Sequence, residues 1–201
     1  MDAASPGAPR KRGRPTPEER EQRRDQILDA AVALFVARGL GQVTIDEIAA
    51  SSRVTKRTIY TYFGDRAEVF TAVIERFRTT ALSEPDAAGS SLLDAAARMV
   101  FVLHSDDAVG MHRLMIGESA QFPDLAARFY ASGPEGYIGM LQQHLAGDDT
   151  AERAEALFGL LLGEPHRRRL LGLVPAPDRA AARAQAERAL RLLGHQGGAD
   201  N

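Results

Sequence analysis

Residues 44–63 read TIDEIAASSRVTKRTIYTYF, and the spacing within this stretch decides the fold. Thr44 followed three residues later by Glu47 is a capping box, in which a hydroxyl and a carboxylate satisfy free amides at a helix start. It predicts a short helix over 45–52 with Ile45, Ile48 and Ala49 facing inward. Thr55 caps a second helix over 56–62, where Ile59 and Phe63 lie one turn apart and pack inward beside Val54. Two short helices separated by about three residues have helix-turn-helix spacing. At about 100° per residue, Thr61 stands opposite the apolar face; Arg57 and Thr58 flank it, Tyr60 lies to one side and Lys56 sits at the start. Arg and Lys can donate to guanine, Thr can bond a base or touch a thymine methyl, and Tyr hydroxyls reach phosphate, so this face suits a major groove. The starts of the two helices, at Thr44 and Thr55, offer amides to phosphate. A small helical bundle with a polar outer face has the same spacing, and spacing alone does not separate the two readings.

Outward from this stretch the pattern stays helical. Ile27, Ala31, Leu34 and Phe35 share one face of a helix over 17–38 that Gly39 and Gly41 end. Asp65 and Glu68 open a fourth helix over 66–82. Residues 84–91, EPDAAGSS, form a loop. Beyond them the helical stretches are 92–104, 108–120, 123–145 with a break at Gly133-Pro134, 150–173 and 177–193. No stretch reads as a strand, so the expected class is all-α. The expected organisation is a disordered basic arm (1–16), a helix-turn-helix domain with its connecting fourth helix (17–82), a helical domain (83–196) and a frayed tail (197–201).

Charge is distributed unevenly along the 201 residues: net +3 over 1–80 and net −5 over 81–201. An anionic partner at the N-terminal end fits that asymmetry. The absence of cysteine excludes disulfides, thiolate nucleophiles, iron–sulfur clusters and Cys-based zinc sites, and fits a reducing cytoplasm. No apolar run approaches the roughly 18 residues of a membrane span, so no membrane partner is expected.

Residues 23–74 resemble the N-terminal domain of TetR-family bacterial transcriptional regulators. The resemblance is carried by Ile27-Leu28, Ala30-Ala31, Leu34-Phe35, Gly39, Thr44, Ile48-Ala49, Val54-Thr55-Lys56, Thr58-Ile59-Tyr60, Tyr62-Phe63 and the run from Arg66 to Phe70. It implies that Lys56, Arg57, Thr58, Tyr60, Thr61 and Tyr62 contact DNA, with Thr44 and Thr55 at helix starts. Arg66 matches a family lysine that touches phosphate. Arg57 and Thr61 have the outward angle that base readout needs. Where the family commonly has glycine in the turn, this chain has Arg53. If the position needs φ > 0, arginine is costlier there, and either the turn differs or Arg53 offsets the cost with a phosphate contact. In the arm, Arg12-Gly13-Arg14-Pro15 has the core of an AT-hook, in which Arg12 and Arg14 would enter a narrow minor groove.

The C-terminal region carries no enzyme signature: no GxGxxG, no P-loop and no HExxH. Gly117-Glu118-Ser119-Ala120-Gln121 is not a nucleophile elbow, because its fifth residue is not glycine. His104, His112 and His144 lack tight metal-ligand spacing, so no catalytic residue, cofactor or metal site is expected. The resemblance implies instead an apolar cavity for an unidentified small effector, for which Met99, His104, Met111, His112, Met115, Glu118, Phe122 and Tyr137 are candidates. It also implies a homodimer joined by the last two helices. Leu157, Leu161, Ala182, Ala186, Ala189, Leu190 and Leu193 are the candidate interface, although a single chain could bury the same stripe. His166-Arg167-Arg168-Arg169 reads as a solvated face, a helix cap or a contact for an acidic patch of a partner. The function implied is a repressor released from a palindromic operator by the effector; the alternative is a DNA-binding regulator controlled by a protein partner or by its own abundance.

Overall fold

The computed structural model describes residues 16–82 and 91–194. The described residues are helical, with no strand among them. The arm with Arg12 and Arg14, most of the 84–91 loop and residues 195–201 lie outside them.

The N-terminal helices form where the capping residues stand. α1 (Pro17–Arg38) opens on a capping box in which Thr16 Oγ1 accepts from Glu19 N and Glu19 returns a bond to Thr16 N at 2.9 Å. α2 (Ile45–Ser51) has the capping box expected of Thr44 and Glu47, and α3 (Lys56–Tyr62) is capped by Thr55. α4 (Arg66–Leu82) starts at Asp65, whose carboxylate accepts from Glu68 N at 2.9 Å. Ile27, Leu28, Ala31 and Phe35 of α1, Ile48 of α2, Ile59 of α3 and Val69, Phe70 and Val73 of α4 are fully buried together. Phe35 meets Phe70 edge-on at 5.9 Å, the favoured arrangement of an aromatic pair.

Beyond residue 90 the chain forms α5 (Leu92–Leu103), α6 (Asp106–Glu118), α7 (Pro123–Tyr130), a π-helical turn (Ala131–Glu135), α8 (Gly136–Gln143), α9 (Thr150–Leu170) and α10 (Arg179–Leu192). A second core gathers buried residues of α5, α8, α9 and α10. The two cores are not segregated by sequence: Met111 and Met115 of α6 and Leu125 of α7 belong to the first. α6 approaches α1 closely at Gly110, where a Cβ would lie 2.8 Å from Val36 Cγ2; only a residue without a side chain allows this spacing.

Three expectations are corrected. The segment 123–145 is not broken at Gly133-Pro134. It passes through the π-helical turn, whose wider ring accommodates a proline that lacks an N–H. The segment 150–173 is not one straight helix. Gly163, at φ 49 and ψ −149, interrupts α9 just before Pro165, a conformation open to glycine and costly for other residues. This redirects His166 and Arg169, expected on a solvated face, into the interior, where each is 6% exposed. Finally, Leu157, Leu161, Ala182, Ala186, Ala189 and Leu190 are buried within the protomer, where α10 packs along α5, and Leu193 is half-buried against the same core. Their small side chains bring α10 close to α5.

Candidate nucleic-acid interface and buried cavity

The turn between α2 and α3 ends α2 in a Schellman motif. Val54 N donates to Ala49 O at 3.0 Å and Arg53 N to Ala50 O at 3.3 Å, which places residue 53 in the left-handed position. Arg53 occupies it at φ 55, so the backbone geometry that suits glycine is kept and an exposed arginine carries the strain. Such strain costs about 1–3 kcal/mol. Ser52, 1% exposed, anchors the turn through its hydroxyl bond to Ile48 O at 2.6 Å.

On α3 the side chains separate into two sets. Ile59 is buried, and Phe63 and Tyr62 are half-buried with their rings 6.0 Å apart. Thr58 is half-buried, its hydroxyl 2.8 Å from that of Thr55. Thr55, Lys56, Arg57, Tyr60 and Thr61 are exposed, Tyr60 by half. Thr61 donates to Arg57 O at 2.8 Å and keeps its acceptor capacity outward. Lys56 Nζ bonds Asp46 at 3.0 Å, which ties the starts of α3 and α2 and raises the lysine pKa. Glu47 is held at about 2 by Thr44 N–H first and then by Arg38, whose guanidinium lies 2.6 Å away. Arg66 is braced inward: its Nη1 donates to Gly41 O at 3.2 Å and Val43 O at 2.9 Å, clamping the α1–α2 turn. Any phosphate contact from Arg66 would have to use its other nitrogens.

A cavity of about 60 Å³ lies between the two cores. α4 contributes Ile74 and Phe77, α6 Met111 and His112, α7 Phe129, α8 Tyr137, and α9 Phe158, Leu162 and His166; Gly133 and Pro134 of the π-helical turn close one side. Of the eight residues expected there, Met111, His112 and Tyr137 line it. Met99 is buried in the second core and Met115 in the first. His104 lies behind His166, its ring stacked at 5.0 Å. Glu118 accepts from Leu40 N at 3.2 Å, beside the end of α1. Phe122 packs against the first core and faces a separate surface cleft beside Arg66. The sequence reading missed His166, Phe129 and Phe158. The α9 kink at Gly163 turns His166 inward, and aromatic character was the only available signal for the three.

Two imidazoles line the cavity wall and a third stands behind them. His112 Nδ1 lies 3.0 Å from His166 Nε2, and His104 stacks on His166. Burial pushes His104 down to about 4, helped by the Arg169 cation. Burial, then His104, His112 and Arg169, push His166 to about 3, and burial lowers His112 as well. These groups are neutral when folded and protonate near pH 6.5 when unfolded. Their stability contribution is therefore present above about pH 6.5 and is lost as pH falls toward 4 and 3. The melting temperature is expected to drop between pH 7.5 and 5.0 by on the order of 5 °C. His166→Gln should shrink that drop; an unchanged melting temperature across the range would show that the cluster carries no such linkage. Among the described residues, no group of three or more His, Asp or Glu is disposed to hold a metal ion. No helix among them is long and apolar enough to cross a membrane.

The helix-turn-helix and the domain beyond it both match known families. Residues 27–73 match the model of bacterial regulatory proteins of the tetR family, and residues 90–194 match that of the C-terminal domain of AefR-like transcriptional repressors. The chain belongs to the TetR family. It is similar to the HTH-type transcriptional regulator SrpR of Pseudomonas putida, 41% identical over 61 residues, 30% of this chain and 29% of that protein. It is also similar to the HTH-type transcriptional repressor SCO4008 of Streptomyces coelicolor, 41% identical over 56 residues, 28% of this chain and 29% of the relative. The matched stretch thus spans about three tenths of the length of these curated relatives. The fold as a whole is that of a TetR-family regulator from Mesorhizobium loti: TM-score 0.63 at 23% identity, covering 87% of this chain and 96% of the other. The family is one of transcriptional regulators rather than enzymes.

Proposed function

We propose that this TetR-family protein is a DNA-binding transcriptional repressor that acts as a homodimer in the bacterial cytoplasm, on the nucleoid when bound. The observation that carries the reading is the outer face of α3, where Arg57, Tyr60 and Thr61 stand exposed on a helix held rigidly by the first core. Arg57 and Thr61 read base edges. Thr44, Arg53, Thr55, Lys56, Thr58, Tyr60, Tyr62 and, in the arm, Arg12 and Arg14 complete the DNA contacts, mostly to phosphate and the minor groove. Repression is supported by the relatives, SCO4008 and the AefR-like repressors among them.

Because the Leu/Ala stripe is consumed internally, the homodimer is assigned to the outward faces of the same helices. There Ala156 and Gly159 of α9 and Ala181, Ala184 and Leu192 of α10 are exposed. Two-fold symmetry then pairs two α3 helices with a palindrome.

The cavity is the proposed effector site. At about 60 Å³ it holds a few waters, whereas ligand pockets run to about 300–1,000 Å³, so an effector must move the walls. One wall is α4, whose other end carries the helix-turn-helix. A ligand that fits only the expanded state binds the two states differently, which is the requirement for coupling. The small cavity also favours a second reading, a regulator with no small effector. A ligand that changes operator affinity separates the two.

The test is selection of genomic fragments by the purified protein at physiological salt, where nonspecific phosphate binding is suppressed. An enriched palindrome is expected, and its absence with folded dimeric protein would sink the reading. Arg53→Gly gives a finer check. Glycine relieves the strain at φ 55, so the turn should stabilise by up to about 1 kcal/mol. Affinity should nevertheless fall alike for all sequences, with the salt slope reduced by about 1. A changed base preference would count against the phosphate role.

A further inference from the structure

The cavity wall shows what kind of molecule it would accept, provided the cavity is the effector site as proposed above. No carboxylate or ammonium side chain lines it. Its polar groups are His112, His166 and Tyr137. His166 and Tyr137 are 6% and 2% exposed, and His166 Nδ1 and the Tyr137 hydroxyl are buried without a hydrogen-bond partner. Unsatisfied buried polar atoms are costly, and a ligand group can satisfy them.

The charged and titratable neighbours set the sign of that group. His104 stands at the end of α5, Asp106 and Arg113 on α6, Arg169 on α9, and Arg78 of α4 acts on Tyr137. Arg169 is buried and donates to His104 O at 3.0 Å, Val174 O at 2.8 Å and Asp106 at 2.5 Å. The Asp106 side chain is 87% exposed and that of Arg169 7%, so the cation of the pair is inside and the anion is in water. Arg113 is spent on the carbonyls of Leu170 and Arg169. The field at the imidazoles is therefore positive.

A neutral pair of imidazoles that share one hydrogen bond presents one outward donor and one outward acceptor. Adding a proton leaves the shared bond and makes both outward nitrogens donors. Such a pair complements a carboxylate. We propose that the cavity binds a small apolar carboxylic acid, whose headgroup sits on the His112–His166 pair and whose body lies among Phe77, Phe129 and Phe158. The carboxyl O–H proton passes to the imidazole pair: the O–H bond breaks, an N–H bond forms, and the carboxylate remains beside the imidazolium. Near neutral pH the acid arrives ionised, so one proton is taken up from water. A cationic ligand meets the buried Arg169 cation, whose partner Asp106 lies in water.

Three probes of similar shape test this on the full chain by titration calorimetry: benzoate, benzamide and benzylamine. Between pH 6.0 and 7.5 benzoate affinity should fall about 30-fold, the slope for uptake of one proton. Buffers of different ionisation enthalpy should report that proton directly. Benzamide should bind without pH dependence, and benzylamine should not bind. His166→Gln should remove the slope for benzoate. Benzoate binding without proton uptake, or benzylamine binding as tightly as benzoate, overturns the acid. Benzamide binding without benzoate overturns the acid and leaves the cavity a ligand site. Binding of none of the three overturns both.

Discussion

Replacing Arg57 and Tyr60 together with alanine should abolish specific DNA binding and leave the fold intact. Both side chains project from α3 into solvent, and neither has a hydrogen-bond or ion-pair partner among the described residues. Their removal therefore leaves no buried group unsatisfied, and surface changes of this kind stay within about 0.5 kcal/mol in stability. On DNA the expectation reverses. A bidentate arginine–guanine pair is worth about 1–3 kcal/mol, and a phosphate contact adds to it, so one protomer loses on the order of 10²-fold in affinity. Both half-sites lose it in a dimer, which multiplies the effect. Anisotropy with the selected operator at physiological salt measures the loss, and circular dichroism melting measures the fold. Affinity within threefold of the parent would sink the α3 readout, because no other exposed face of the helix-turn-helix combines arginine, tyrosine and threonine.

The features legible in the sequence are the local ones. The capping pairs Thr44–Glu47 and Asp65–Glu68 fix helix starts through bonds three residues apart, and the helices begin where those pairs stand. Arg53 was visible as a departure because the family that the chain resembles commonly has glycine before Val54, and its φ of 55 is the left-handed conformation that glycine suits. Long-range consequences were not legible. Periodicity along α10 showed that Ala182, Ala186 and Ala189 face something apolar, but a stripe does not say whether its partner is α5 or another chain. The helix run across 163–169 looked solvated because three arginines follow His166. Its orientation depends on one glycine at φ 49, which rotates Arg169 onto carbonyls from α5 and from the segment after α9. The cavity is assembled from seven elements, so no single stretch announces it.

Phe35→Ala should also weaken DNA binding, by a different route that the same two measurements distinguish. Phe35 is fully buried, edge-on to Phe70, in the core that joins α1 to α4. Truncating a buried phenylalanine costs about 3–5 kcal/mol, from lost transfer energy and the cavity left behind. Against a total stability of about 5–15 kcal/mol, that is a large fraction. For a chain of this length the melting temperature should fall by on the order of 10 °C. The next residue, Val36, packs on Gly110 of α6, and Glu118 of α6 bonds Leu40 N just past the end of α1, so loosening α1 also frees the helix that carries His112. Because operator binds only the folded state, saturating DNA and low temperature should restore binding to Phe35→Ala by mass action. They should not restore it to the Arg57 and Tyr60 double variant, which is already folded. A Phe35→Ala protein that melts within about 2 °C of the parent would mean that the first core relaxes around the loss. In that case α1 does not transmit the position of α6 to the recognition helix, and coupling between cavity and operator has to run through α4 alone.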